Sequence, residues 1–325
     1  MNVWIAALVK SAFLLFVILT TFAYAMLFER KIMAWMQLRP GPDRVGPWGL
    51  LQPAADAVKM LFKEDLTPNT ADPLMYRFAP WISLFCAMGA FAIVPFSESD
   101  GAPWSVGSVD AGILFIFALT SIGIYGISLA GWASGSKYPI LGSLRATAQM
   151  ISYELAMTMS AVGVLMLSGT TSLEGIVHAQ SRLWFVVPQF FGFLLYVITA
   201  VAETNRAPFD LVEAESELVG GFHTEYSGLR FGLFFIAEYL NMIMVACIAT
   251  LLFLGGWSAP FGLIVLPGIV WFVLKASLFI FMYIWLRTTL PRLRYDRLMT
   301  FGWKILLPAA ALNLMVTAIV VAVRG

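Results

Sequence analysis

Residues 203–225 hold six carboxylates, Glu203, Asp210, Glu213, Glu215, Glu217 and Glu225, against a single arginine, Arg206. Carboxylates this close raise one another's pKa, and burial adds to the effect. Such groups change protonation near neutral pH when a neighbouring charge changes, which is the chemistry of proton transfer and charge sensing. A solvated acidic face, or a dock for a basic partner, is the competing use of the same residues. Glu154, Glu238 and Lys275 sit inside strongly apolar stretches. An ionised group at mid-bilayer costs about 2.5–3.5 kcal/mol on insertion scales, so these side chains face one another or a wet cavity rather than lipid. Either Glu238 or Glu154 pairs with Lys275 to lock the helices, or the carboxylates line a proton or ion route. The metal chemistry is poor: Cys86 and Cys247 lie in apolar runs, no CxxC occurs, and His178 and His223 are not spaced as ligands. An iron–sulfur, haem or zinc site held by this chain is not expected.

The elements that position these groups follow from composition. Of 325 residues 60% are hydrophobic and 12% charged, and the mean hydropathy is +0.84. Soluble domains carry about 25% charged residues. A soluble enzyme, a disordered chain and a nucleic-acid binder are excluded. The expectation is an all-α polytopic membrane protein, one membrane domain over residues 1–325, with eight transmembrane helices near 3–28, 78–96, 111–134, 144–168, 184–203, 229–255, 263–287 and 300–323. Each is long enough for a ~30 Å hydrocarbon core at ~1.5 Å per residue, and too long for barrel strands. The first run lacks a basic leader and is followed by Glu29-Arg30-Lys31, so it reads as an uncleaved span rather than a signal peptide.

Charge sets the orientation. The segments after spans one, three, five and seven, with their helix ends, hold sixteen Lys and Arg; the opposite side holds Arg182 and Arg324. Those four segments are therefore expected on the cytoplasmic side and both termini outside. Within the first of them, residues 48–63 place Gln52, Asp56, Lys59 and Lys63 in a stripe roughly 60° wide, with Leu51, Ala55, Val58, Leu61 and Phe62 away from it. This reads as an amphipathic helix in the membrane surface, or one packed on a soluble partner. The acidic cytoplasmic loop spans about 203–228.

The stretch AETNRAPFDLVEAESELVGGFHTEYSG at residues 202–228 closely resembles the H subunit of proton-pumping NADH:quinone oxidoreductase, respiratory complex I. The likeness extends to FERKIMAWMQLRPGPDRVGPWGLLQPAADAVKMLFKED at 28–65, GLFFIAEYLNMI at 232–243 and LRTTLPRLRYDRLMTFGWK at 286–304, and so covers nearly the whole chain. The resemblance implies an eight-span subunit of the energy-conserving inner membrane, associated with other membrane-arm and peripheral-arm subunits, quinone and membrane lipids, and not with nucleic acid. It implies no cofactor bound by this chain alone: quinone is the substrate, and FMN and iron–sulfur clusters belong to partner subunits. The family's quinone chamber carries over to Glu29, Arg30, Arg39, Asp56, Phe235 and Tyr239. Its proton-coupling path carries over to Glu154, Glu203, Arg206, Asp210, Glu213, Glu215, Glu217 and Glu238, with Lys275 and Arg287 matching by position.

Three other readings stand beside this one. Membrane-bound hydrogenases carry a cousin of this protein type. A stand-alone cation or proton transporter would also use intramembrane Glu and Lys, although no internal repeat is visible. A purely structural anchor for a soluble redox arm would use the charges only to lock helices.

Overall fold

The computed structural model describes residues 3–99, 102–210, 219–260 and 266–324. Glu213, Glu215 and Glu217 lie outside the described residues. The helices are α1 (Val3–Met36), α2 (Gln52–Phe62), α3 (Pro73–Ala90), α4 (Gly112–Ala133), α5 (Lys137–Ser168), α6 (Leu173–Ala179), α7 (Phe190–Glu203), α8 (Gly228–Phe253), α9 (Gly268–Thr289), α10 (Tyr295–Phe301) and α11 (Leu307–Arg324). Strand pairing among the described residues is one tiny hairpin, Glu98–Ser99 against Ala102–Pro103. The fold is otherwise helical, as the lengths of the apolar runs require.

Helix α8 is the centre. It is strongly apolar apart from Arg230 near its start and Glu238 and Asn241 farther along, and 72% of its most apolar window is buried, against 17% for the terminal run Tyr295–Val323. A helix this apolar on most sides belongs in the interior, and α8 packs on α1, α2, α3, α6, α7 and α9. Helices α3, α4 and α5 form a consecutive layer beside it, and α11 closes on α5. Asp72 caps α3, its carboxylate accepting from the backbone N–H groups of Leu74 (3.0 Å) and Met75 (3.2 Å), with Pro73 in the first turn.

Among the described residues, seven helical runs are long and apolar enough to cross a membrane. The expected fifth span, 184–203, is shorter than its hydropathy suggests. Residues 185–189 form turns around Pro188, and α7 has 14 residues, about 21 Å at ~1.5 Å each. Gln189 holds this start, donating from Nε2 to Thr317 Oγ1 (2.6 Å) and accepting from Asn313 Nδ2 (3.0 Å). The last span begins earlier than expected, at Tyr295, through a π-helical turn at Gly302–Leu306. Pro308 explains that turn: it cannot donate to the carbonyl of Lys304, so the regular ladder breaks there. The surface helix expected over 48–63 is split. Trp48 stands at φ 56° in a turn over Pro47–Gly49, and the helix proper starts at Gln52.

Both ends of the acidic loop are fastened. At the start, the Gln149 amide donates to the carbonyls of Ala202 and Phe209, each at 2.9 Å. At the end, Tyr76 and Tyr226 stack with centroids 4.1 Å apart, the Tyr76 hydroxyl donates to the Glu225 carbonyl (2.6 Å), and the Tyr226 hydroxyl donates to the Tyr76 carbonyl (3.2 Å).

Lipid supplies no hydrophobic drive between helices, so close approach of small residues must hold the bundle. Gly126 on α4 is such a point: an added Cβ would lie 2.1 Å from Ser83 Oγ and 2.9 Å from the Ala79 carbonyl. Gly126→Ala is expected to destabilise the protein by about 1–3 kcal/mol. Gly89→Ala, whose Cβ would meet nothing closer than Leu119 at 3.5 Å, is expected to be tolerated. Thermal inactivation of the two variants in detergent checks the difference.

Candidate functional site

Four chain segments bring charge to one buried point. Glu29, near the end of α1, is 1% exposed, and Arg206, just beyond α7, is 3% exposed. Arg206 Nη1 donates to both Glu29 carboxylate oxygens at 2.6 Å. Arg287, at the end of α9, donates to Glu29 from its own Nη1. The other side of the Arg206 guanidinium faces α8: Nε lies 3.0 Å from Glu238 Oε1, and the group sits 4.2 Å over the Tyr239 ring. The cluster thus balances two arginines against two carboxylates. Burial disfavours the Arg206 charge, but the carboxylates of Glu238 and Glu29 outweigh it and hold its pKa above the ordinary guanidinium value.

On one side of this cluster lies a polar cavity. Glu203, Asn205, Glu238, Asn241 and Ser83 line an enclosed cavity of about 40 Å³, enough for water. Glu203 is 4% exposed, and its Oε2 finds no hydrogen-bond partner among the described residues. Glu154 on α5 turns towards α4, where it accepts from the Ser121 hydroxyl. The opposite face of α5 carries Gln149, which holds the acidic loop, and Ser152, which accepts from the Trp303 indole at 3.1 Å.

On the other side lies a wider opening of about 430 Å³, with Arg30, Asp56, Lys59, Met60 and Phe231 in its lining. Arg30 pairs with Asp56 at 2.8 Å, and Gln52 donates to the same carboxylate at 3.0 Å. The polar stripe of α2 faces this opening, while Leu51, Val58, Leu61 and Phe62 are exposed. Phe235 and Tyr239 follow Phe231 along α8 in a row of ring contacts, with the Phe235 and Tyr239 centroids 5.4 Å apart, outside the lining of this opening. Arg39 stands apart in a separate recess with Lys31 and Asp43, its Nε donating to Gln37 (2.8 Å). Asp210 is half-buried at the edge of the described loop.

Lys275 takes no part in the cluster. Its Nζ donates to the carbonyls of Leu254 (2.6 Å), Gly256 (2.9 Å) and Ser258 (2.7 Å), and lies 4.4 Å from the Trp184 ring centroid. It closes the free carbonyl end of α8, as a cation does at a helix C-terminus, and pairs with neither Glu238 nor Glu154. Sequence reasoning missed Ser121 and Ser83. Their signal was faint: single hydroxyls in otherwise apolar helices.

A polytopic helical protein whose buried arginine joins two carboxylates, between a small polar cavity and a larger opening lined in part by α2, is a membrane protein built around internal charge. The chain belongs to the NADH dehydrogenase family, which it matches over residues 9–318. It is 51% identical over 326 residues to an H subunit of the NADH-quinone oxidoreductase of Symbiobacterium thermophilum, covering 99% of each chain. It is 50% identical over 322 residues to an H subunit of the same enzyme type from Geobacter metallireducens, covering 98% of this chain and 97% of that one. It is 52% identical over 322 residues to the corresponding H subunit of Deinococcus deserti, covering 95% of this chain and 82% of that one.

Removing one partner of a buried ion pair costs about 3–5 kcal/mol, because the other charge is left uncompensated. Arg206→Gln strands Glu238 and half of the Glu29 pairing, so the assembled complex should melt several degrees lower. Arg206→Lys, a point charge without the fork, should fall between wild type and Gln. The double variant Arg206→Gln, Glu238→Gln should recover part of the loss. Melting curves of purified complex decide it, and a double variant worse than Arg206→Gln would contradict the pairing.

Proposed function

We propose that this chain is the membrane subunit of an NADH:quinone oxidoreductase that forms much of the quinone access channel and chamber, and couples quinone reduction to proton translocation. The observation that carries this reading is the position of Arg206. One guanidinium touches Glu29, next in sequence to Arg30 of the larger opening, and Glu238, which lines the small polar cavity with Glu203. A change of charge on the opening's side is therefore felt by carboxylates on the cavity's side with no long-range motion.

A quinone has a small polar head and a long isoprenoid tail. Its passage needs an apolar gap at membrane level, rimmed by an interfacial helix. Helix α2, polar inward and apolar outward, supports that role. Reduction to quinol takes up two electrons and two protons. The electrons come from an iron–sulfur cluster of a peripheral partner subunit, fed through FMN in another; this chain supplies shape, charge and proton routes. Arg30 beside Asp56 favours anionic quinone intermediates. The coupling path runs from Glu29 and Arg206 to Glu238, Glu203 and Glu154, and includes Asp210, Glu213, Glu215 and Glu217 of the loop. Arg287 steadies Glu29, and Lys275 steadies the far end of α8. In this arrangement α7 completes an eighth crossing, the loop and α2 face the cytoplasm, and both termini face outside.

Two experiments test the reading. Val58→Glu puts a charge on the exposed apolar face of α2. The KM for long-tailed quinones should rise several-fold while that for short-tailed ones changes little and the assembly stays intact. An equal effect on both tail lengths would remove α2 from the channel. Separately, Glu238→Gln and Glu213→Gln each remove a titrating group and keep its shape. Quinone reductase activity should fall several-fold while electron transfer from NADH to an artificial acceptor survives, because that acceptor takes electrons upstream. If both activities fall together, the residues serve assembly, and the coupling role fails.

A further inference from the structure

A large apolar groove lies away from the charged cluster. It has a volume of about 730 Å³ and runs between α7, α9 and the α10–α11 region, with Val201, Phe209, Leu286, Leu293 and Ile305 among its walls. Neither the quinone opening nor the coupling path uses it. The charged residues in its lining are Asp296 and Arg297. Residues 292–304 carry Arg292, Arg294, Arg297 and Lys304 against one acid, Asp296, which Arg294 already pairs at 2.9 Å. Arg297 stands on the rim, exposed, and makes no ion pair within the described residues. Two exposed tryptophans, Trp285 and Trp303, flank the same end. Trp is enriched at the headgroup level of a bilayer, which suits this end of the groove to the membrane interface and its apolar walls to the hydrocarbon.

We propose that this groove is a binding site for an anionic phospholipid, with an acyl chain against Val201, Phe209, Leu286, Leu293 and Ile305 and the headgroup phosphate at Arg297. Basic pockets between transmembrane helices at an interface are the usual form of anionic-lipid sites. A guanidinium offers a phosphate two parallel N–H donors, which zwitterionic lipids satisfy less well because their own ammonium competes. A peptide helix would fill the apolar part but would leave Arg297 without an anion. The site's inner wall is Pro208-Phe209, two residues beyond Arg206, and the Pro208 carbonyl accepts from the Leu293 N–H at 3.0 Å. The lipid therefore sits behind the start of the acidic loop.

The test uses the intact complex in nanodiscs doped with a phosphatidylglycerol that carries a photoreactive diazirine in its acyl chain. After irradiation the labelled residues are mapped by mass spectrometry. Label is expected on residues 197–209 and 286–305. Excess unlabelled phosphatidylglycerol should remove it, and excess phosphatidylcholine should not. Arg297→Gln, which removes the phosphate contact, and Ile305→Trp, which fills the groove, should each cut labelling several-fold; both positions are exposed and outside the coupling path. Labelling that phosphatidylcholine removes equally well, that is unchanged in both variants, or that misses these segments because a neighbouring protein occupies the groove, would overturn the proposal. The readout is independent of quinone chemistry, so it fails or succeeds separately from the proposed function.

Discussion

The structure turns on one buried guanidinium. Arg206 sits just outside α7 with α1, α8 and, through Glu29, α9 all tied to it. A charge this deep is tolerated only where partners compensate it, and here the compensation is two carboxylates and an aromatic face. That demand fixes where the segments around it must go. Glu29 must lie near the end of α1, Glu238 must face inward on α8, and Arg287 must reach back from the end of α9. Through the one guanidinium, Glu29 and Glu238 share a counter-charge, which is the geometry the proposed coupling rests on.

Holding that cluster needs a rigid frame, and in lipid the frame comes from fit. Glycines and serines bring α3 and α4 into contact, with Ser83 Oγ 3.3 Å from the Gly123 carbonyl. Buried amides then tie helix ends together: Gln149 holds the start of the acidic loop, and Gln180 holds the end of α8 by donating to the Leu251 carbonyl at 2.8 Å and accepting from the Gly255 N–H at 3.0 Å. Lys275 completes that end. The bundle is thus pinned at both ends of α8, and the described part of the acidic loop is fastened on each side.

Much of this was legible in the sequence, because the costs involved are large. An apolar run of twenty residues has few alternatives to a spanning helix, and an intramembrane carboxylate must find company. Glu154, Glu203 and Glu238 stood out on that ground, and the likeness at residues 202–228 agrees with the family to which the chain belongs. What the sequence could not supply was partner identity. Lys275 looked like a counter-ion for Glu238 or Glu154, because spacing along separate helices says nothing about which level each side chain occupies; it serves three carbonyls instead. The late start of α7 was hidden for a similar reason. Hydropathy continues through residues 184–189, and only Pro188 and the tertiary pairing of Gln189 mark the turns. The early, broken start of the last span depends on Pro308, whose effect is felt four residues upstream.

If Arg206 is the link, charge arising at the quinone side reaches the Glu203–Glu238 cavity through it. Infrared difference spectroscopy of the intact complex, comparing oxidised with reduced quinone, measures this directly through the carboxyl bands. The expected result is a change in the protonation or hydrogen bonding of a buried carboxyl group that disappears in Glu238→Gln and is altered in Arg206→Lys. Difference spectra identical to wild type in both variants, with quinone still reduced, would contradict it.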